Sequence, residues 1–158
     1  MIKSTRGRRL RASRGTVSVE MAMVVPVLIL MLFGIIEFGM MFSTVLQLNN
    51  LTREGARIAS VGARPAEVVI RMLGAATHLD AQDMTILMEY RTFAGGYWSS
   101  WSYLGDDGYN NTAPPGSQLR VRTTYNYHLL MGRLFSRFAD DVANNTKTLT
   151  STMVMRRE

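Results

Sequence analysis

The chain has 158 residues and a mass of 17.7 kDa, which is enough for one domain of ordinary size. It contains no cysteine, which excludes a disulfide framework and a cysteine-based zinc site. The net charge of +6 comes from the N-terminus, because six basic residues precede Gly15 and the remainder carries twelve basic and twelve acidic residues. The neutral body lacks the basic surface of a nucleic-acid-binding protein, so we expect no nucleic-acid partner.

An uncharged apolar run, Met21 to Ile36, follows the basic leader and is bounded by Glu20 and Glu37. A helix from Thr16 to Glu37 is about 31 Å long, which matches the thickness of a bilayer core. Ten of the sixteen residues in the run are Val, Leu, Ile or Phe, which favour insertion by roughly 3–6 kcal/mol in total. We therefore predict a membrane-spanning helix with a cytoplasmic N-terminus and an extracytoplasmic body.

Two other structures suit an apolar run of this length. One is a buried helix of a soluble core, which the basic leader and the apolar extension to Phe42 disfavour. The other is a cleaved secretory signal, which expects a shorter apolar core and an A-x-A-like cleavage site. Glu20, Glu37 and the absence of such a site after Phe42 disfavour the signal.

The junction between leader and apolar run reads Gly15-Thr16-Val17-Ser18-Val19-Glu20. It resembles the type IV prepilin cleavage site, at which a membrane aspartyl peptidase cuts after the glycine on the cytoplasmic side. A glycine allows extended backbone to approach a protease closely. The resemblance implies that Thr16 becomes the new N-terminus and that Glu20 neutralises an α-ammonium, often on a neighbouring subunit. The alternative is an interfacial glycine followed by an acid that is favourable at the positive end of the helix dipole.

The sequence from this junction onward is similar to the TadE-like family, minor pseudopilins of the tight-adherence (Flp) pilus system. Glu20, Pro26, the FGIIEFG stretch 33–39 and the REGAR stretch 53–57 carry the similarity, which covers residues 15–62 and extends loosely to the final MVMRRE. Met21 departs from the pattern, since Phe or Tyr commonly follows the glutamate in prepilins. The resemblance implies a prepilin peptidase, a TadF-like pseudopilin, the Flp major pilin and the tight-adherence secretion machinery as partners.

The helical pattern continues beyond the apolar run, because small and apolar residues recur at three- and four-residue steps. We predict one helix from near Thr16 to about Val61, with a kink at Pro26, which removes a backbone hydrogen bond. Gly55 and Gly62 indicate either close packing against another element or fraying of the helix end. Four charged residues are expected at a partner contact: Glu37, Arg53, Glu54 and Arg57. Arg53 and Arg57 share a helix face and could instead face lipid headgroups, and a solvated face with Glu54 nearby explains them equally well.

The fold class predicted for the whole chain is α+β. The long helix continues into a small extracytoplasmic module of one or two helices packed on an antiparallel sheet of about three strands. The predicted domains are a cleaved leader, 1–15, a transmembrane and extended helix, 16–62, and the module, 63–158. Within the module we predict a second helix at 65–78, strands at 84–93, 118–130 and 148–156, an aromatic-containing loop at 94–117 and a short turn at 131–138.

Residues capable of catalysis are few. His78 and His128 lie outside any recognised motif, so we predict structural or surface roles for both. The stretch Gly105-Asp106-Asp107-Gly108 lacks the spaced acidic ladder of an EF-hand and is typical of a turn. We predict that Trp98 and Trp101 pack on the fold, with glycan binding, a partner surface or the membrane interface as alternatives. No enzyme activity, metal, cofactor or small-molecule substrate is predicted.

Two functions fit these patterns. The first is a minor pseudopilin for biogenesis of a Flp pilus, held in the bacterial inner membrane, cut after Gly15 and assembled through its hydrophobic helix. The second is a single-pass, membrane-anchored binding or scaffolding module of the cell envelope. Replacement of Glu20 by Leu distinguishes them, since an inert anchor tolerates that change. An anchored hydrolase has no support in the sequence.

Overall fold

The computed structural model describes residues 9–158, so the first eight residues of the predicted leader lie outside the described part of the chain. The chain divides into two units, one ending at Gly39 and the other running Met40–Glu158. The elements in chain order are α1 (Arg9–Ser60), α2 (Pro65–Ala75), β1 (Met84–Arg91), β2 (Phe93–Ala94), β3 (Tyr97–Trp98), β4 (Ser102–Tyr103), β5 (Gln118–His128), α3 (Gly132–Phe135) and β6 (Thr146–Arg156). Short 3-10 turns lie at Ala81–Asp83 and Ser136–Phe138.

Helix α1 starts earlier than predicted, at Arg9 instead of near Thr16. Arg, Leu and Ala are strong helix formers, and a single glycine costs only about 1 kcal/mol in a long helix, so Gly15 does not break it. The helix ends at Ser60, close to the predicted end. Its last turn is capped and not frayed: the Gly62 N–H donates to the Ala59 carbonyl at 3.1 Å, and the Ala63 N–H donates to the Ile58 carbonyl at 3.3 Å. Gly62 has a φ of 104°, which only glycine adopts without strain.

Helix α2 begins at Pro65, as predicted, because the preceding Arg64 is extended and proline suits the first helical position. It ends at Ala75, three residues before the predicted end at His78. The predicted apolar face is observed. Val68 and Met72 are fully buried, and Val69 packs partly against the same core.

The main sheet has four antiparallel strands in the order β4-β1-β5-β6, one more than the roughly three predicted. The additional strand, β4, lies inside the predicted loop 94–117 and pairs with Glu89 and Tyr90 of β1. The same loop contains β3, which forms a separate hairpin with β2. Strands of two residues leave no alternation in the sequence, so the pattern that identified β1 and β5 cannot detect them.

One face of the sheet packs on the helices. Alternate residues of β5 from Leu119 to Tyr127 are buried, whereas their neighbours are half-buried or exposed. The C-terminal part of α1 and the buried side of α2 cover this inner face with apolar side chains: Leu51, Ala56, Ile58, Ala59, Val68 and Met72. The opposite, outer face of the sheet carries the remaining residues of each strand.

Two threonines connect α1 to the centre of the sheet. Thr52 and Thr123 are fully buried, and their hydroxyl oxygens lie 2.9 Å apart. The Thr52 hydroxyl donates its single proton to the Leu48 carbonyl at 2.7 Å, so the Thr123 hydroxyl donates to Thr52. Both hydroxyls are therefore satisfied in a fully buried site, where an unpaired one would cost about 1–3 kcal/mol.

A second polar connection holds the loop 105–117 against the end of α1. The Asn111 side-chain amide donates to the Ala59 carbonyl at 2.8 Å and to the Ala63 carbonyl at 3.0 Å. The Asn111 backbone N–H also donates to the Gly62 carbonyl, at 3.0 Å. Carbonyls at a helix C-terminus have no partner within the helix, so this buried asparagine supplies donors that the helix needs.

Three surface carboxylates stabilise turns in their charged form. Two backbone N–H groups, of Asn110 and Tyr109, lower the pKa of Asp107, and the Lys147 ammonium with the Thr148 N–H lowers that of Asp140. Hydrogen bonds from the Asn144 side chain and backbone lower the pKa of Asp141. These bonds stabilise the fold above the ordinary carboxyl pKa, about 3.8, and are lost as the pH falls through the lower folded values.

We expect the thermal unfolding midpoint of the full chain to be nearly constant between about pH 5 and pH 7 and to fall below about pH 4. Circular dichroism at a series of pH values measures this directly. In Asp107→Asn the side-chain oxygen still accepts hydrogen bonds but no longer titrates, so this variant should lose less stability in acid than the unmodified chain. An acid dependence that is unchanged in this variant would contradict the assignment for Asp107.

Candidate functional site: the leader junction and the apolar helix

The predicted processing residues all lie on α1. Gly15, Thr16 and Glu20 are helical and exposed, and a side chain added at Gly15 would meet nothing within 4 Å. Thr16 and Glu20 are four residues apart, so they share a helix face with a rise of about 6 Å between them. Gly15 lies inside helix α1, and the predicted cut after it stays a prediction.

The segment that follows the junction is apolar on all sides. From Gly15 to Leu32 every residue is exposed. Twelve of these residues, between Val17 and Leu32, are valine, leucine, isoleucine or methionine, each at least 40% exposed. Burial of apolar surface is worth roughly 25 cal/mol per Å², so a helix with this surface is stable only in lipid or against other apolar helices. Within the described residues, Gly15–Ser60 is the one helix long and apolar enough to cross a membrane. Its length and composition are those of a single-pass membrane anchor.

Two further residues of the predicted site lie along this helix. Pro26 is inside α1, where its ring provides no N–H for the carbonyl one turn earlier. Glu37 has only 3% of its side chain exposed, although the adjacent Ile36 and Phe38 are 45% and 39% exposed. Glu37 is therefore a buried acid in an otherwise exposed part of the helix.

The REGAR stretch divides between two sides of α1. Its charged residues face solvent: Arg53 is exposed, and Arg57 binds Glu54 at 2.7 Å in an exposed pair. The hydrogen bond from Arg57 lowers the pKa of Glu54, and the same bond raises the pKa of Arg57. Such exposed pairs contribute little to stability.

The small residues of the stretch face the opposite way. Ala56 is fully buried, and a Cβ at Gly55 would overlap the Met72 thioether of α2. Glycine therefore allows α1 and α2 to approach closely, which confirms the predicted close packing at Gly55. The small residues of this stretch therefore pack inside the fold, and only its charged residues are available to another molecule.

The remaining candidates have local roles. His78 is exposed, and the His128 ring Nε2 lies 3.1 Å from an Asp83 carboxylate oxygen. Asp106 and Asp107 accept backbone N–H groups of their own turn, from Gly108, Tyr109 and Asn110. The pattern predicted this turn correctly.

The two tryptophans pack at one end of the outer sheet face. The Arg91 guanidinium lies 5.1 Å from the ring centroid of Trp98 and 4.6 Å from that of Trp101, and Arg120 lies 4.1 Å from Trp101. Sequence reasoning predicted that the rings fold over the sheet but did not identify the arginines. The only sequence signal for these contacts was the alternation of the two strands, which set Arg91 and Arg120 apart from the apolar residues of each strand.

Comparison with known proteins identifies one family. The model of the family described as "TadE-like protein" matches residues 15–57, which include the junction, the apolar helix and the REGAR stretch. This match confirms the resemblance on which the sequence analysis relied. No curated protein and no solved structure matches the chain.

Proposed function

We propose that this protein is a minor pseudopilin of a tight-adherence (Flp) pilus. The match to the TadE-like family supports a structural protein associated with this pilus system and not an enzyme. The observation that carries the finer proposal is the position of the match: it begins at Gly15, where a basic leader meets a helix that is apolar on all sides.

In this proposal a prepilin peptidase removes residues 1–15 at the cytoplasmic side of the inner membrane. The helix remains in the membrane, with the body at 63–158 on the extracytoplasmic side. Partner pilins, including the Flp major pilin and a TadF-like pseudopilin, then pack against the apolar surface of the helix. Such packing relies on van der Waals contact and on few polar bonds.

Cleavage gives Glu20 its role. The new α-ammonium of Thr16 and the Glu20 carboxylate lie about one helical turn apart, close enough to attract within one chain or between adjacent chains. An isolated charge in an apolar environment costs several kcal/mol, so neutralisation allows the end of the helix to enter a helical bundle. The proposed contacts with the secretion machinery or a second pseudopilin are the exposed charged residues of the REGAR stretch, Arg53, Glu54 and Arg57.

Cleavage is tested by co-expression of the full chain with a prepilin peptidase and mass spectrometry of the N-terminal peptide. We expect a product shortened by 15 residues that starts at Thr16. Gly15→Leu should keep its leader, because the side chain prevents close approach of the protease. Gly39→Leu is the matched control: it changes a glycine of the same helix that also has open space around it, and it should be cut normally.

Retention of the leader by the unmodified chain, or a start at any residue other than Thr16, would overturn the processing step. Normal cutting of Gly15→Leu would contradict the assignment of Gly15. Sodium carbonate extraction of the product separately measures whether the helix anchors it in the membrane.

A further inference from the structure

The outer face of the sheet carries an arginine-rich end that the proposed function does not use. Arg91, Gln118 and Arg156 occupy directly opposite positions on three neighbouring strands, β1, β5 and β6. The two arginine Cα atoms are therefore about 10 Å apart, with the glutamine between them. Arg122 lies on the same face two rows along.

These arginines are not neutralised within the fold. Of the four on this face, only Arg120 has an ion pair among the described residues, with Glu89 at 2.6 Å. Arg91 donates through Nε to the Gln118 side-chain oxygen at 2.8 Å, and Arg156 donates through Nε to the Gly116 carbonyl at 3.3 Å. The Nη groups of both arginines and the amide N–H groups of Gln118 remain as donors, and the Arg91 guanidinium also lies against the Trp98 and Trp101 rings. Because the chain beyond the leader is neutral, this is a local excess of positive charge.

A cleft opens beside these donors. It has a volume of about 390 Å³ and is lined by Phe93, Trp98, Gly116, Gln118 and Arg156. A second depression of about 300 Å³ continues from it along Pro114 and Pro115 and shares Phe93 and Arg156. Volumes of this size are within the range of small-ligand sites.

The two walls of the cleft differ in chemistry. One wall consists of the Phe93 and Trp98 rings, whose centroids lie 5.1 Å apart at 56°. They are 57% and 37% exposed, so both have apolar surface available to a ligand. The other wall presents N–H donors of Gln118 and Arg156. A matching ligand has a flat apolar face on one side and carboxylate acceptors on the other.

We infer that this cleft binds an acidic polysaccharide, through a uronic acid unit. The C–H face of a pyranose ring packs on Trp98 and Phe93, and the carboxylate accepts from the Arg156 fork, the geometry that guanidinium and carboxylate prefer. Arg91 and Arg122 lie along the sheet at spacings that suit further carboxylates of the same chain. Three unpaired arginines on a neutral body are too few for the long phosphate backbone of a nucleic acid or for a bilayer surface, which both require an extended basic area. This inference does not depend on cleavage at Gly15 or on pilus assembly.

Tryptophan fluorescence tests the inference, because Trp98 and Trp101 are the only tryptophans in the chain. The full chain in detergent is titrated with tetragalacturonate, and its methyl ester serves as the matched uncharged ligand. We expect a saturable change with tetragalacturonate and at least about tenfold weaker binding of the ester. Arg156→Gln should weaken tetragalacturonate binding at least about tenfold, and Trp98→Ala should also weaken it. Arg71→Ala, which removes an exposed arginine of α2, should bind normally.

Circular dichroism verifies that each variant is folded, and the exposed position of Arg156 makes its replacement compatible with the fold. Equal binding of the ester, or no binding of tetragalacturonate, would overturn the inference. So would an equal loss in Arg71→Ala, which indicates attraction by overall charge alone. Tighter binding of hexaglutamate, of a thymidine decanucleotide or of phosphatidylglycerol vesicles would assign the face to a different class of partner and would likewise overturn it.

Discussion

Glu20→Leu is expected to abolish piliation while the protein remains in the membrane. Leucine makes the helix more apolar, so insertion is at least as favourable as before. The Thr16 ammonium, however, would then enter a helical bundle without its counter-charge. At 4 Å and an effective dielectric constant of 20, the lost attraction is about 4 kcal/mol, which corresponds to a reduction of several hundredfold in an assembly equilibrium.

The measurement is a count of pili by electron microscopy in a strain that carries the variant as its only copy. Glu20→Gln should fail as Glu20→Leu does, because both remove the charge, whereas Glu20→Asp should assemble partially. Glu67→Leu is a matched control, since Glu67 is a surface acid of α2 paired with Arg64 at 2.8 Å, away from the junction. Its piliation should be normal.

Two additional readouts identify the cause of a loss. Carbonate extraction must find Glu20→Leu in the membrane, and N-terminal sequencing must find its leader removed. If the processed, inserted variant supports normal piliation, the helix is an inert anchor and the envelope-scaffold alternative takes the place of the pseudopilin. The result for the acidic-polysaccharide cleft is unaffected in either case, because the cleft is assayed with the purified chain.

The long elements of the fold were predictable because each is long enough for its sequence pattern to be recognised. Strands β1 and β5 have eight and eleven residues, so an alternation of residue types in the sequence repeats several times in each. Strand β6, with eleven residues, is rich in β-prone threonine. Pro65 identified the start of α2 because proline fixes the backbone of the first turn. The predicted start of α1, near Thr16, was too late, because the arginine-rich leader forms a helix as readily as a loop. The processing pattern at Gly15 carries no information on where a helix begins.

The contacts that join these elements were less accessible to sequence reasoning. Asn111 caps carbonyls near Ala59, more than fifty positions earlier, and no local pattern indicates that partnership. The pairing of Thr52 with Thr123 is equally long-range. Exposed candidates such as Thr16 and Glu20 were identified from their resemblance to a family motif, because exposed side chains leave no pattern of core packing in the sequence.

Gly55 connects both kinds of information, because it lies in the family-matched segment and its role is visible in the packing. We expect Gly55→Leu to lower the free energy of unfolding by about 2 kcal/mol. A larger side chain overlaps Met72, which is 1% exposed, and overpacking of this kind costs about 1–3 kcal/mol. Leucine is a better helix former than glycine, but this gain, at most about 1 kcal/mol, is smaller than the cost of the overlap.

Urea unfolding of the full chain in detergent, followed by tryptophan fluorescence, measures this change. Gly74→Ala is the matched control: Gly74 lies in α2 with nothing within 4 Å of an added Cβ, so alanine should raise stability by about 0.5–1 kcal/mol. The double variant Gly55→Leu with Met72→Ala removes the overlapping thioether, and we expect it to be more stable than the sum of the single changes allows. If the two changes were simply additive, or if Gly55→Leu unfolded like the unmodified chain, the contact between α1 and α2 would not be what requires this glycine. Gly55 thus sets how closely the C-terminal part of α1 approaches α2, next to the exposed residues Arg53, Glu54 and Arg57.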